Sequence, residues 1–148
     1  MRLLADTNVL LDYLLRRPGY GEDIRDLFVV DFYGDAELWA SAKSFADVFY
    51  VARKAIGSRA AQKNMRALLE HLRVVAIDGD DEQAAAEACW PDYEDCLIAR
   101  AAEKVKASYI VTRDKAGFSR ADIPALAPRE LLEEVSSKTG HHYAEVTW

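Results

Sequence analysis

Residues 1–17 read MRLLADTNVLLDYLLRR, and the reading of this stretch decides the fold class. Met1 to Ala5, apolar but for Arg2, looks like the start of a buried strand. Leu10, Leu11, Leu14 and Leu15 mark the inner face of a helix. Between the two elements stand Asp6, Thr7 and Asn8, so the chain puts a carboxylate at the mouth of its own core.

Outward from this stretch the alternation continues. Pro18-Gly19 stops the first helix, and Ile24, Leu27, Phe28 and Phe32 recur at helical spacing in the next segment. AELWAS is a short strand; AKSFADVFYVARKAIG is a helix with Phe45, Val48, Phe49, Ala52 and Ile56 on one stripe, stopped by Gly57. Ser58 is the expected N-cap of the following helix. RVVAID is a strand, and two helices divided at Pro91 follow. SYIVTRD is a strand, PALAPREL a last short one, and ELLEEVSSK a closing helix. Strands alternating with helices imply a parallel sheet covered on both faces. In such sheets ligands bind beyond the carboxyl ends of the strands. Asp6 and Asp114 both end strands in this reading, and central parallel strands would point them into one crevice.

The 148 residues are enough for one domain with a sizeable core, and a composition 51% apolar and 30% charged is that of a globular protein. No apolar run is long enough to span a bilayer, and Asp6 interrupts what would have to be a signal peptide, so a cytoplasmic protein is expected. Cys89 and Cys96 are the only cysteines and read as small core residues; neither they nor His71, His141 and His142 have zinc-site spacing. A net charge of −6 excludes a broad nucleic-acid-coating surface but leaves room for local basic arms.

Two helical positions extend the acid set. Asp47 lies among Phe45, Ala46, Val48 and Phe49, either on the outward edge of its helix or as an inward functional group. Asp92 and Asp95 share a helix face; the first suits an N-cap and the second the third helical position, roles compatible with ligation. Two carboxylates about 4 Å apart repel by roughly 4 kcal/mol at an effective dielectric near 20. If Asp6, Asp47, Asp95 and Asp114 converge, they hold protons at neutral pH or require a cation. Oxygen-only donors select Mg²⁺ or Mn²⁺, suited to in-line displacement at a phosphodiester.

LLADTNVLLDYLL, SFADVFYVARK and PDYEDCLIARAAEKVKASYIVTRD, with Phe118 trailing, together resemble the PIN-domain ribonucleases, and most closely the bacterial VapC-type toxins of toxin–antitoxin pairs. The resemblance implies a three-layer α/β/α sandwich with a central parallel sheet of four to five strands over residues 1–135, leaving 136–148 as a tail without a match. It implies a Mg²⁺- or Mn²⁺-dependent endoribonuclease with RNA as substrate, a possible antitoxin partner and a homodimer. Asp6 and Asp95 match metal ligands; Asp47 falls where most of the family has Glu; Asp114 matches the Asn or Asp after TR. Thr112 and Asn8 match positions that hold the acids, and Asp92 an accessory acid. Gly117 stands where the family often has a later acid, which also leaves open a degenerate PIN fold that only binds RNA or protein.

The acids cannot draw in RNA, so basic residues must. Arg16 and Arg17 at the end of the first helix, and Arg53 and Lys54 two turns along the helix that carries Asp47, are the expected substrate arms; Arg113 and Lys115 flank Asp114 and are open to capture by a carboxylate. The large apolar side chains Phe28, Phe32, Trp39, Tyr50 and Trp90 either crowd one core or supply the dimer surface. Phosphotransfer folds also place an Asp after a parallel strand, but the phosphatase pattern needs a second Asp two residues later, where Asn8 stands.

Overall fold

The computed structural model describes residues 1–143. The elements run β1 (Arg2–Ala5), α1 (Thr7–Leu14), α2 (Gly21–Phe32), β2 (Glu37–Ser41), α3 (Ala42–Ile56), α4 (Ser58–His71), β3 (Arg73–Val75), α5 (Gly79–Ala88), α6 (Tyr93–Lys104), β4 (Tyr109–Val111), a 3₁₀ turn (Ala116–Phe118), β5 (Ala125–Leu126) and α7 (Pro128–Thr139). The five strands form one sheet in the order β3-β2-β1-β4-β5, and every pairing is parallel. This is the expected α/β/α sandwich.

The pleat of the two central strands separates two cores. Leu3 and Ala5 of β1 and Val111 of β4 face a cluster built from α1, α2, α3, α4 and α7. Leu4 and Ile110, one residue out of phase, face Ile98, Ala101 and Ala102 of α6 and Val105 just past its end. Both faces of β1 are therefore apolar, and Leu3, Leu4 and Ala5 are fully buried. The first two crossovers step outward to β2 and β3, while the third returns through α5 and α6 to β4 on the other side of β1. Right-handed connections then place the two helix sets on opposite faces. The strand order reverses between β1 and β4, and that switch point is where α/β sheets open a crevice. The Asp6 amide donates to Val111 O at 2.9 Å, which carries the β1–β4 ladder one residue past the strand.

Several local readings change. Ser58 is the first residue of α4, and Gly57, at φ 82°, holds the cap position in a conformation that glycine adopts without strain. β4 ends at Val111, so Asp114 lies in the loop beyond the strand. α1 ends at Leu14, so Arg16 and Arg17 lie past its end, Arg16 with φ at 49°. Cys89 is exposed rather than in the core; Cys96 is buried as expected. The expected boundary at residue 135 falls inside α7, where Val135 is fully buried. Beyond it Tyr143 is buried and donates to Asp35 at 2.8 Å, so the fold extends at least that far; the rest of the tail, 144–148, lies outside the described residues. No helix among the described residues is long and apolar enough to cross a membrane.

Candidate active site

The N-termini of α1, α3 and α6 meet at the carboxyl end of the sheet, and their first turns are tied together. Thr7 opens α1; its hydroxyl donates to Glu94 Oε1 of α6 at 2.9 Å and shares a second hydrogen bond with Ser44 Oγ of α3, also 2.9 Å. Each helix begins at a short polar cap: Asp6 accepts from the Thr7 amide at 2.6 Å, Ser41 from the Lys43 amide, and Asp92 from the Glu94 and Asp95 amides. Asp92 as N-cap and Asp95 as third helical residue are as the sequence suggests.

Asp6 is 4% exposed, and its second oxygen accepts from Thr112 Oγ1 at 2.8 Å. The same Thr112 oxygen accepts from the Asp114 amide at 3.0 Å, linking the β4 loop to the β1 carboxylate. Thr112 and the Thr7 backbone thus orient Asp6, while Asn8, expected to share that task, is exposed. Burial raises the proton affinity of Asp6 above its ordinary value; the Thr112 and Thr7 hydrogen bonds oppose this, and the charges of Glu94 and Asp114 add to it. Asp95 is pushed up to about 6, first by burial and then by the charges of Asp92, Asp6, Asp114 and Glu94. Asp6, Asp95 and Asp114 therefore share one electrostatic field.

Among the described residues, Asp6 is the one buried acid without an ion pair. Asp12 is held by Arg113 and Arg17, Asp26 by Arg25, and Asp81 by Lys104 and Arg100. The fold neutralises every other carboxylate it buries and leaves this one to hydroxyl and amide donors.

Gly117 completes the crevice. Its amide donates to Asp114 Oδ1 at 3.2 Å. A Cβ at this position would overlap Asp95 Oδ2 and lie 3.3 Å from Asp114 Oδ2. The missing side chain is thus the space in which the two carboxylates approach each other.

Asp47 lies elsewhere in the network. Its carboxylate receives Lys43 Nζ at 2.6 Å, and the same ammonium is 3.4 Å from Glu94 Oε2. Burial disfavours the Lys43 charge, but the bonds and charges of Asp47 and Glu94 outweigh it and raise the ammonium above its ordinary value. Lys43 is thus a basic residue committed among the acids, which relieves part of the charge that the sequence leaves to protons or a cation. Lys43 and Glu94 are the two residues that sequence reading passes over; the (i, i+4) spacing of Lys43 to Asp47 and the place of Glu94 beside Asp95 were the available signals.

The basic arms divide. Arg17 turns back onto Asp12 at 3.2 Å, Arg113 meets Asp12 at 2.6 Å and stacks over Tyr20, and Lys115 pairs with Glu130 at 2.7 Å. Arg16 is exposed. Arg53 and Lys54 are exposed in the last turn of α3, and with Arg59, Lys63 and Arg66 of α4 they form a segment of cations with no ion pair among the described residues.

No three His, Cys, Asp or Glu side chains among the described residues are gathered tightly enough to form a ready-made metal cage. The donor set nonetheless fits a hard divalent cation. Asp6 is buried without a counter-ion, Asp95 is pushed up by burial and by the acids around it, all donors are oxygen, and Gly117 leaves room between Asp95 and Asp114.

No curated protein matches the chain in sequence. Solved structures share its fold. VapBC2 from Rickettsia felis, bound to a DNA fragment from its promoter, aligns with a TM-score of 0.67 at 17% identity over 86% of this chain and 98% of that one. VapC20 of Mycobacterium tuberculosis, a toxin that cleaves the sarcin–ricin loop, aligns at 0.65 and 15% identity over 82% and 95%. A toxin–antitoxin complex from Klebsiella pneumoniae aligns at 0.61 and 18% identity over 85% and 97%. The family model of the PIN domain matches residues 2–116, which contain every acid of the crevice. The chain belongs to the PIN-domain family.

Proposed function

We propose that this protein is a divalent-metal-dependent endoribonuclease that hydrolyses RNA phosphodiester bonds, and that it is the toxin of a toxin–antitoxin pair acting in the cytoplasm. The observation that carries the reading is the buried Asp6 carboxylate without a counter-ion, set at the switch point of a PIN fold beside Asp95 and Asp114. Asp6 and Asp95 would hold Mg²⁺ or Mn²⁺, with Asp114 facing the same space. When bound, such a cation neutralises the phosphodiester and acidifies an attacking water. Thr112 and the Thr7 amide keep Asp6 oriented, and the Asp92 cap fixes the turn that carries Asp95. Asp47 acts at one remove, through Lys43. The likeness to VapBC2 and to the Klebsiella complex supports an antitoxin partner, and the likeness to VapC20 supports RNA as substrate.

Substrate phosphates run along Arg53 and Lys54, the predicted arms that no carboxylate claims; Arg16 remains available at the end of α1, while Arg17 is committed to Asp12. Contacts of this kind release counter-ions, so RNA binding weakens steeply with salt. Homodimerisation is part of the same reading. Phe28, Trp39 and Trp90 pack against the cores, but Tyr50, Val51, Ile56 and Leu69 leave an exposed apolar surface on α3 and α4.

An RNA-cleavage assay with Mg²⁺, Mn²⁺ or chelator, beside Asp6→Asn and Asp95→Asn, tests the proposal. Metal-dependent cleavage lost in each variant, with no further loss in the double variant, is the expected result, since either change empties the same site. RNA binding without metal-dependent cleavage would instead identify a degenerate PIN module.

A further inference from the structure

We propose that Lys43 is a built-in counter-ion of the acid cluster, its ammonium standing where a second divalent ion would otherwise bind, so that the site takes one divalent cation. The inference rests on the metal-dependent reading above.

The carboxylates at the sheet's carboxyl end fall into two groups. Asp47 and Glu94 share Lys43 Nζ, at 2.6 and 3.4 Å. Asp6, Asp95 and Asp114 have no ion pair among the described residues; hydroxyl and amide donors reach Asp6 and Asp114, but no cationic side chain does. Lys43 is not an ordinary surface lysine paired along its own helix. It is the second residue of α3, its side chain is only 28% exposed, and its partners come from two helices. Glu94 is itself fixed, because Thr7 of α1 donates to its other oxygen at 2.9 Å. The ammonium therefore sits in a place built by α1, α3 and α6, between two carboxylates of the kind a hard cation takes. A divalent ion could enter between Asp47 and Glu94 only by expelling it. Asp6, Asp95 and Asp114 are then the one group of these acids without a cationic partner. Lysine suits this role because its compact, strongly hydrated charge resembles a small cation in reach and hardness.

The test counts Mn²⁺ ions bound to the full-length protein by calorimetric titration with Mn²⁺ alone, without RNA. Wild type is expected to bind one ion per chain, Lys43→Arg one, and Lys43→Met two, since the methionine fills the space but frees Asp47 and Glu94. Lys43→Gln replaces the methionine variant if circular dichroism shows that the latter does not fold. Two ions in wild type, or one in a folded neutral variant, overturns the role assigned to Lys43 and leaves the nuclease proposal standing. No Mn²⁺ binding by wild type overturns the metal-dependent reading, and this inference with it.

Discussion

Gly117 and Asp95 show how single residues set the chemistry. Gly117 stands where the family often carries an acid, and from sequence this reads as a possible loss of function. The structure places Asp95 Oδ2 where a side chain at 117 would begin. Gly117→Ala should therefore fold normally, because its φ lies in the region open to any L-residue and the group it meets is the movable end of a side chain. The displaced Asp95 carboxylate should weaken Mn²⁺ binding roughly 10- to 100-fold, the usual effect of disturbing what orients a ligand. Unchanged affinity in calorimetry would mean that the close approach is irrelevant. Asp95 also sets a pH dependence. With its folded-state value pushed up to about 6, the folded protein holds this proton where the unfolded chain has lost it. The protonated group's contribution to stability is present at low pH and lost as pH rises toward about 6. A cation must displace the same proton, so Mn²⁺ affinity should climb with pH through this window and level off above it. A flat profile between about pH 5 and 7 would contradict the assignment.

At the scale of elements, α1 is the joint between fold and site. It has eight residues, too few to be stable alone, so tertiary contacts must hold it. Its inner face carries the fully buried Asp12, gripped by Arg17 from the following loop and by Arg113 from the loop after β4. The pair locks the β4 loop, and with it Asp114, against the helix that Asp6 caps. Asp12→Ala leaves two guanidinium groups facing each other over an emptied position. We expect a loss of about 3 kcal/mol, the low end for breaking a buried pair, because both arginines keep some solvent. Urea unfolding measures it directly: a midpoint close to wild type would show that the pair contributes little. The same element explains why Arg17 and Arg113 are poor candidates for phosphate contacts. The (i, i+5) closeness of Arg17 to Asp12 is readable along the chain, but the distance of Arg113 from Asp12 is not.

At the scale of the whole molecule, the site opposes the fold that builds it. Burying Asp6 without a counter-ion destabilises the metal-free protein, and cation binding should reverse this. Mn²⁺ at a hundred times its dissociation constant stabilises by about 2.7 kcal/mol. For a domain of this size that is a rise in Tm of roughly 5–10 °C. Asp6→Asn should melt at or above the metal-free wild type, since it removes the uncompensated charge, and should not respond to Mn²⁺. Scanning calorimetry of both proteins, with and without Mn²⁺, gives the comparison; a metal response preserved in Asp6→Asn would place the cation elsewhere.

Read alone, the sequence determined what depends on local pattern. Apolar runs alternating with amphipathic stretches specified strands, helices and a parallel sheet, and polar residues at strand ends marked Asp6 and Asp114, because burial on two faces leaves strand termini as the place for charge. Spacing also identified Asp92 as a cap and Asp95 beside it, since capping is settled within one turn. Which carboxylates keep a cation and which do not was decided only by tertiary structure. Lys43 reaches Glu94 across 51 positions and Arg113 reaches Asp12 across 101, and such pairings appear only when the sheet brings distant segments together. The space at Gly117 belongs to the same class: a missing side chain has meaning only relative to what the fold puts beside it.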